Sequence, residues 1–357
     1  MGIAARNING MTLHQLLCLR NNSSVHKNSK VLQELKNLWE GVEYLFIDEV
    51  SMIGCKFLYK ISQTLSQALG NVQPFGGLSV IFAGDFAQLP PVKLTRLYAR
   101  VNTRTREQTT AFQETVAGKM LWLSVNTIIE LKRLHRQEGI ENIEFQNLLS
   151  RMREGRCNVS DYKLLNTRVI SQSIDVDFSK PPWQLAPIIV YDNATKDLLN
   201  IKATEAFANQ TSQELQWYYA SDFYKKTLVE DDALIDAFVN LHSGETNQRL
   251  THIPLVLEMP VLVCHNFSVE DGIVNGARGT IKNIQYHIDG HGRRHLLSVI
   301  IHIPDSSSTP FPDLPSHDYP ILSDSTIFQM VHPYNQTRLS ITRLQIPLQP
   351  AFAITAH

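Results

Sequence analysis

Two acidic residues directly after a short apolar run are the strongest chemical signal in this sequence. The run Tyr44–Ile47 is followed at once by Asp48 and Glu49. Such a run is typical of a strand buried on both faces of a parallel sheet, and ligands of α/β folds bind at the carboxyl ends of these strands. An acid there can hold Mg²⁺ through water, and its neighbour can polarise an attacking water. We therefore predict a catalytic pair with Asp48 as the metal residue; the alternative is a strand ending in two solvated acids.

A second polar segment follows the next apolar run along the chain. Residues 78–83 form that run, and residues 84–92 read Gly-Asp-Phe-Ala-Gln-Leu-Pro-Pro-Val. If the two runs are neighbouring strands, Gln88 lies at the same sheet edge as Asp48. Its uncharged amide can contact a terminal phosphate or orient water without adding negative charge beside a metal ion. The double proline predicts a stiff, extended exit from this loop.

The elements that must position these residues alternate between helix and strand, which predicts an open α/β sheet. Residues 280–345 differ, because their alternating apolar pattern, broken by Asp289-Gly290, predicts a small β insertion. The spacing of apolar residues predicts helices over 31–39, 53–69, 142–154 and 192–208, and strands over 44–47, 78–83, 125–131, 186–190 and 296–303.

Composition and charge exclude several classes of protein. The chain has 357 residues, 43% of them hydrophobic, and a formal net charge of −1, so a DNA contact must come from local patches. The stretch 93–110 is polar and basic, and a solvated surface loop explains it more readily than a DNA contact does. The four cysteines are scattered without a Cys-x-x-Cys pair, and no apolar run could span a membrane. We expect a soluble, unsecreted chain in a reducing compartment.

Taken together, several segments resemble the petite-integration-frequency (PIF-type) family of superfamily 1 DNA helicases. Residues 47–52 resemble its Walker B motif, and residues 84–92 resemble its next motif, whose glutamine contacts the terminal phosphate. Residues 2–14 resemble the motif that lines the path of single-stranded DNA, which implies DNA contacts for Thr12 and His14. Residues 134–137 resemble the motif whose arginine reaches the γ-phosphate across the cleft, which implies that role for Arg136.

The resemblance continues to the end of the chain and implies a fold. Residues 259–279 are similar to the second-lobe segment that leads into a β insertion, which implies nucleic-acid contacts for Asn275 and Gly276; a tight hairpin turn is compatible with this. Residues 346–357 are similar to the opening of a late motif. The implied α/β fold has two RecA-like P-loop NTPase lobes, both incomplete, with a small β-barrel-like insertion in the second. The expected domains are 1–135, 136–279, 280–345 and 346–357.

The family implies ATP and Mg²⁺ as cofactors and single-stranded DNA as partner, with 5′ to 3′ unwinding driven by ATP hydrolysis. It also implies a nuclear protein of DNA repair, recombination or telomere maintenance. We expect no membrane contact, and no protein partner is evident from the sequence.

One family motif is missing from these residues. No Gly-x-x-x-x-Gly-Lys-[Ser/Thr] loop occurs, since Gly118-Lys119 is followed by Met120. We expect a chain truncated at both ends that binds ATP weakly and hydrolyses it negligibly. Three alternatives stay open: a non-catalytic remnant of a mobile-element helicase that binds single strands, a relic without function, and a metabolic nucleotide-binding enzyme, although no Gly-x-Gly-x-x-Gly or nucleophile elbow supports the last.

Overall fold

The computed structural model of the chain describes residues 10–19, 29–101, 109–133, 135–170 and 180–355 except Pro182, together with Ala5, Ile8 and Asp177. Two compact units divide the chain: an N-terminal unit, Thr12–Phe178, and a C-terminal unit, Met1–Met11 with Ser179–His357. The division falls after residue 178, whereas the sequence predicted a lobe boundary at 135/136; the lobe assignment stays a prediction. Within the described residues, no helix has the length and apolar character needed to cross a bilayer.

The N-terminal unit is built on two parallel strands, β1 (Tyr44–Ile47) and β2 (Ser79–Phe82), paired residue for residue from Tyr44 with Ser79 to Ile47 with Phe82. Both strands lie where the sequence placed them. Its helices in the described residues are α1 (Leu13–Leu16), α2 (Ser29–Trp39), α3 (Cys55–Leu69), α4 (Thr110–Leu123), α5 (Ile143–Arg153) and α6 (Val159–Asn166).

Only one face of β1 is buried, which corrects the expectation of a strand covered on both sides. Leu45 and Ile47 are buried in a core shared with α2 and α3, whereas the alternate residues Tyr44 and Phe46 are 65% and 49% exposed. Because side chains alternate across a strand, the exposed pair marks the opposite face of the sheet. The described part of the unit therefore covers β1 from one side.

Helices α3 and α4 cross at very short distance because Gly118 lies at their contact. A β-carbon at position 118 would fall 1.8 Å from the carbonyl oxygen of Cys55. The start of α3 is also tied to the strip that follows β2, since the Cys55 amide donates to the Thr95 carbonyl (2.9 Å). The Gly118-Lys119 pair is thus a site of helix packing inside α4 and not part of a phosphate-binding loop.

The predicted strand over 125–131 is wrong. These residues form no strand, and the side chains of Ile128, Ile129 and Leu131 are 90%, 82% and 91% exposed. The apolar run matched the pattern of a buried strand, but a strand is stable only when its backbone pairs with a neighbour. No described strand pairs with this segment.

The C-terminal unit contains two larger sheets and a short parallel pair. Its strands in the described residues are β3 (Ile188–Val190), β4 (Gln216–Tyr219), β5 (Ser221–Tyr224), β6 (Thr227–Leu228), β7 (His252–Leu255), β8 (Pro260–Val263), β9 (Arg278–Ile288), β10 (Arg294–His302), β11 (Asp318–Leu322), β12 (Asp324–Val331), β13 (Arg338–Gln345), β14 (Leu348–Pro350) and β15 (Ala353–Thr355). One seven-stranded mixed sheet has the order β14-β8-β9-β10-β4-β7, and β11 also pairs with β10, at Ser298–His302. A four-stranded sheet has the order β12-β13-β5-β6.

The expected β insertion over 280–345 is therefore part of a wider β region. Strands β9 to β13 lie within or next to that range, but they also pair with strands that precede it: β10 with β4, β13 with β5, and β9 with β8. The remaining pair, β3 with β15, is parallel and packs against α7 (Asn193–Gln210); α8 (Asp232–Val239) packs on the four-stranded sheet.

A buried arginine anchors the four-stranded sheet. Arg343 on β13 is fully buried and donates two hydrogen bonds to the carboxylate of Asp222 on β5, at 2.7 and 2.8 Å. Its guanidinium also lies over the ring of Phe328 at 4.9 Å. The carbonyl of Arg249 accepts a further bond at 3.0 Å. The charge is thus paired and hydrogen-bonded, as a buried ion requires.

Candidate nucleotide site

The ends of β1 and β2 are locked side by side by backbone hydrogen bonds. The Ala83 amide donates to the Ile47 carbonyl (2.8 Å), and the Val50 amide donates to the Ala83 carbonyl (3.0 Å). Because the strands are parallel and in register, the residues that follow them, Asp48-Glu49 and Gly84-Asp85, lie at one edge of the sheet. The structure therefore brings together the two segments that the sequence placed at a common edge.

Asp48 and Glu49 form a tight, strained turn. The Glu49 amide donates to Asp48 Oδ1 (2.9 Å), and Glu49 has a left-handed backbone (φ 54°, ψ 43°). A non-glycine residue in this region costs about 1–3 kcal/mol, and such residues cluster at functional sites. Asp48 is exposed and Glu49 is half-buried, so both carboxylates remain accessible.

These donors fit Mg²⁺ better than a metal that needs a full protein cage. Within the described residues, no group of three or more His, Cys, Asp or Glu side chains is arranged to hold an ion. Mg²⁺ keeps several waters and takes only one or two protein carboxylates, with phosphate oxygens completing its shell. An accessible Asp48 with Glu49 beside it is a donor set of this kind.

The loop after β2 is held against the Asp48-Glu49 turn. A β-carbon on Gly84 would lie 2.8 Å from the Val50 nitrogen, and Gly84 has a φ of +147° that favours glycine. Inside the loop, the Ala87 amide donates to Asp85 Oδ1 (2.9 Å), and the Gln88 amide donates to the Asp85 carbonyl (3.0 Å). The side chain of Gln88 is exposed at this edge.

Asp85 also forms an ion pair that the sequence did not reveal. Arg153, at the end of α5, donates from Nη2 to Asp85 Oδ1 (2.6 Å) and from Nη1 to Asp85 Oδ2. The Arg153 hydrogen bond is the main cause that holds the pKa of Asp85 below its usual value. The two residues are 68 positions apart, and no motif singles out Arg153. Sequence spacing alone gave no signal for this contact.

Aromatic contacts fix the outer side of the same loop. The ring of Phe86 meets Trp122 of α4 edge-on, at 5.4 Å between centroids, and Tyr98 at 5.3 Å. Trp122 also contacts Phe82 of β2 at 5.5 Å. Edge-to-face pairs of this kind contribute about 0.5–1.5 kcal/mol each, so Phe86 ties the Gln88 loop to the body of the unit.

Arg136 is not brought to the other predicted catalytic residues. It is exposed in a turn, and no hydrogen bond or ion pair joins it to Asp48, Glu49 or Gln88 in the described part of the chain. Its neighbours are held locally, since His135 Nδ1 lies 2.9 Å from Glu138 Oε1. Leu134, which belongs to the same predicted motif, lies outside the described residues.

Of the two predicted DNA residues of the N-terminal unit, His14 contacts α3. Thr12 precedes α1, and its side chain makes no capping hydrogen bond. The ring of His14 stacks on Phe57 of α3, with centroids 5.0 Å apart. Burial, with a smaller effect from the charge of Lys60, lowers the pKa of His14. His14 is therefore neutral near pH 7 and offers a ring face and a polar nitrogen. Most of the rest of this motif lies outside the described residues.

Asn275 and Gly276 lie in a turn just before β9 in the C-terminal unit. The Asn275 amide donates to Asn266 Oδ1, and the Gly276 amide donates to the Val263 carbonyl, both at 2.8 Å. Gly276 has a φ of +94°, which explains a glycine there. The Asn275 side chain is exposed. The turn is thus structural, and it leaves one amide side chain facing solvent.

The chain is similar to known helicases of one type. Residues 1–163 match the family model of PIF1-like helicases. The chain is 24% identical to the ATP-dependent DNA helicase PIF1 of Xenopus laevis over 360 residues, which cover all of this chain and 47% of that protein. It is 35% identical to PIF1 of Saccharomyces cerevisiae (strain YJM789) over 164 residues, covering 45% of this chain and 17% of that protein. The chain thus spans about half the length of the Xenopus relative, and the yeast match covers a smaller share.

Solved structures show the same fold. The Pif1 helicase of Candida albicans matches with a TM-score of 0.62 at 20% identity, over 99% of this chain and 72% of that one. A Bacteroides Pif1 in complex with ADP-AlF3 and single-stranded DNA matches equally, at 0.62 and 20%, over 99% of this chain and 71% of that one. The predicted class, RecA-like α/β lobes with a β insertion, is confirmed at the level of the fold. Residues 1–163 thus match the PIF1-like helicase family, and the fold of the described residues is that of solved Pif1 helicases.

Proposed function

We propose that this chain carries core elements of an ATP-dependent DNA helicase that couples ATP hydrolysis to 5′ to 3′ movement along single-stranded DNA. The observation that carries the proposal is the junction of two motifs at one sheet edge, with Asp48-Glu49 after β1 and the Gln88 loop after β2. The chain spans about half of the Xenopus relative, and we propose for it the activity of the complete relatives.

The proposed roles follow from the geometry of this edge. Asp48, exposed at the end of β1, binds Mg²⁺ through water. Glu49, whose strained backbone sets its direction, polarises the attacking water. Gln88 contacts the terminal phosphate without adding negative charge, and Arg136 supplies positive charge to it. Bound ATP would supply the phosphoryl group, and bound Mg²⁺ would neutralise its negative charge.

Single-stranded DNA is the proposed polymer substrate. Thr12 and His14 offer a hydroxyl and a ring face beside α3, and bases stack on aromatic rings regardless of sequence. Asn275 and Gly276, in the C-terminal unit, would also contact the strand: Asn275 through its exposed side-chain amide and Gly276 through its backbone. The Bacteroides Pif1 structure contains single-stranded DNA, which supports this substrate class. We further propose the lobes 1–135 and 136–279, the insertion 280–345, the return at 346–357, and a nuclear role in DNA maintenance.

The sequence contains no phosphate-binding loop, which favours a second candidate function. Without the loop's backbone amides, its lysine and its hydroxyl, these residues should bind ATP weakly and hydrolyse it negligibly, because positioning and charge neutralisation dominate phosphoryl transfer. The alternative is a non-catalytic protein that binds single-stranded nucleic acid. The absence of that motif from the sequence is the specific observation that favours it.

The test is a titration of labelled oligonucleotides with the purified 357-residue chain. We expect single strands to bind more tightly than duplexes, with an affinity that falls as salt rises. Mg-AMPPNP should change that affinity in the wild type and leave it unchanged in Asp48→Asn, if Asp48 binds the nucleotide metal. Binding of single strands that ignores nucleotide would favour the non-catalytic alternative, and no preference for single strands would overturn both.

A further inference from the structure

Arg153 lies outside every motif, yet it is bonded to the loop that carries Gln88. Its two terminal nitrogens donate to the two carboxylate oxygens of Asp85: Nη2 to Oδ1 at 2.6 Å, and Nη1 to Oδ2. Paired N–H···O bonds between arginine and a carboxylate are stronger than neutral hydrogen bonds, and they fix direction as well as distance. Asp85 is thereby held from the side of α5.

The bonds that Asp85 makes within its own loop depend on that direction. The Ala87 amide donates to Asp85 Oδ1, the same oxygen that Arg153 Nη2 contacts. The Gln88 backbone amide donates to the Asp85 carbonyl (3.0 Å). Turning the Asp85 carboxylate would break the first of these bonds and displace the backbone that carries Gln88.

We infer that Arg153 is a positioning residue: through Asp85, it holds the Gln88 loop in the geometry needed to contact a terminal phosphate. This inference rests on the proposed function for the phosphate contact, but the loop geometry itself does not depend on any nucleotide. Because the same carboxylate accepts bonds from Arg153 and from the loop, Arg153 acts on Gln88 without touching the nucleotide.

The ion pair serves the loop more than global stability. The Arg153 side chain is 55% exposed, and exposed pairs contribute little to the free energy of unfolding. A variant without the guanidinium should therefore stay folded while the loop loosens. Lysine at position 153 keeps the charge but cannot make two parallel bonds, so it should restore the loop only in part.

The chain offers a matched control on the same helix. Arg151, two positions earlier on α5, also donates two hydrogen bonds to one carboxylate, that of Asp161 at the start of α6. That pair joins two helices and has no contact with the Gln88 loop. Arg151→Gln removes the same chemistry and leaves the loop untouched.

The test is hydrogen–deuterium exchange of the full chain, read on peptides that cover residues 84–92. Because Arg153→Gln loses the charge-assisted bonds, we expect these peptides to exchange about tenfold faster than in the wild type. In Arg153→Lys the exchange rate should be intermediate, and in Arg151→Gln it should equal that of the wild type. Peptides from α3 should not change in any variant. Unchanged exchange of residues 84–92 in a folded Arg153→Gln protein would overturn the inference.

A second measurement tests the role of Arg153 separately from the proposed function. Binding of AMPPNP and of ADP, each with Mg²⁺, is measured for the same variants. We expect Arg153→Gln to lose the preference for the nucleotide with the terminal phosphate, while its ADP affinity stays that of the wild type. If the wild type shows no such preference, the proposed function fails, whereas the exchange data still decide whether Arg153 positions the loop. Equal loss of affinity for both nucleotides would contradict a role through Gln88.

Discussion

Gly84 lies against the backbone of Val50, so close that a β-carbon on Gly84 would sit 2.8 Å from the Val50 nitrogen. This contact joins the two motifs of the candidate site through their main chains. Val50 directly follows Glu49, and Gly84 directly precedes Asp85. Any change in the spacing of these two residues therefore moves the acidic pair relative to the Gln88 loop.

Gly84→Ala should destabilise the N-terminal unit and shift the Gln88 loop. The added methyl group meets backbone, and the φ of +147° is unfavourable for alanine, so we expect a loss of about 2–3 kcal/mol in the free energy of unfolding. Urea denaturation followed by tryptophan fluorescence measures it. Gly70→Ala is the control, because nothing lies within 4 Å and only its φ of +63° costs about 1 kcal/mol. Equal losses in both variants would show that the Val50 contact has no effect.

Gly118→Ala should also destabilise the protein, against the trend of helix propensity. In an open helix, alanine is more favourable than glycine by about 1 kcal/mol. Here the new β-carbon would lie 1.8 Å from the Cys55 carbonyl oxygen, so α3 and α4 must move apart, at a net cost of about 2 kcal/mol or more. The urea midpoint gives the sign. A Gly118→Ala protein more stable than the wild type would show that the two helices do not cross here.

Arg343→Met should strongly destabilise the C-terminal unit. The substitution leaves the Asp222 carboxylate buried without its partner, which costs about 3–5 kcal/mol. Arg338→Met, on the same strand but exposed, should change stability by less than about 0.5 kcal/mol. Thermal or urea unfolding of the two variants gives the comparison. Similar stabilities for both would mean that the buried ion pair does not anchor the four-stranded sheet.

The pair of Arg151 and Asp161 should make stability depend on pH in the acid range. The Arg151 hydrogen bonds, helped by the Asn158 amide, lower the pKa of Asp161 from 3.8 to about 2. A carboxyl whose pKa is lower in the folded state stabilises the protein above its unfolded pKa, and it loses that contribution as pH falls through the folded value. The stability difference between wild type and Asp161→Asn should thus be constant above about pH 5 and shrink towards pH 2.

The opposite outcome is simple to recognise. A wild-type advantage over Asp161→Asn that grows as the pH falls from 5 to 2 would contradict the lowered pKa. Arg151→Gln serves as the control, because removing the first cause of the shift should return the titration of Asp161 towards its ordinary range.

The local elements of the candidate site were predictable because their signals lie close together in the sequence. The run before Asp48 and the run before Gly84 were predicted as strands, and both formed with nearly the expected bounds. The helix predicted after the first run ended where expected, at Leu69 before the left-handed Gly70. The helix Thr110–Leu123, which follows the second run, was not predicted. Apolar spacing and a stopping glycine suffice for such elements.

Features that depend on distant partners were missed. The segment 125–131 has the composition of a strand but no strand beside it, so its apolar residues stay exposed. The Asp85–Arg153 pair joins residues 68 positions apart, and the strands β4 and β5 pair with strands far along the chain. The periodicity of apolar residues indicates which face of an element is apolar, but it does not predict which other element will cover that face.

The most direct test of the central claim is to locate a bound metal–nucleotide complex on the chain. Mn²⁺ replaces Mg²⁺ with ATP, and the backbone amide signals of isotope-labelled protein are followed by NMR, since paramagnetic broadening detects even weak binding. We predict broadening centred on residues 48–50 and 84–88, and its loss in Asp48→Asn. The assignment of this sheet edge as the nucleotide site would be contradicted if these residues show no broadening. It would also be contradicted if broadening is strongest elsewhere and persists in Asp48→Asn.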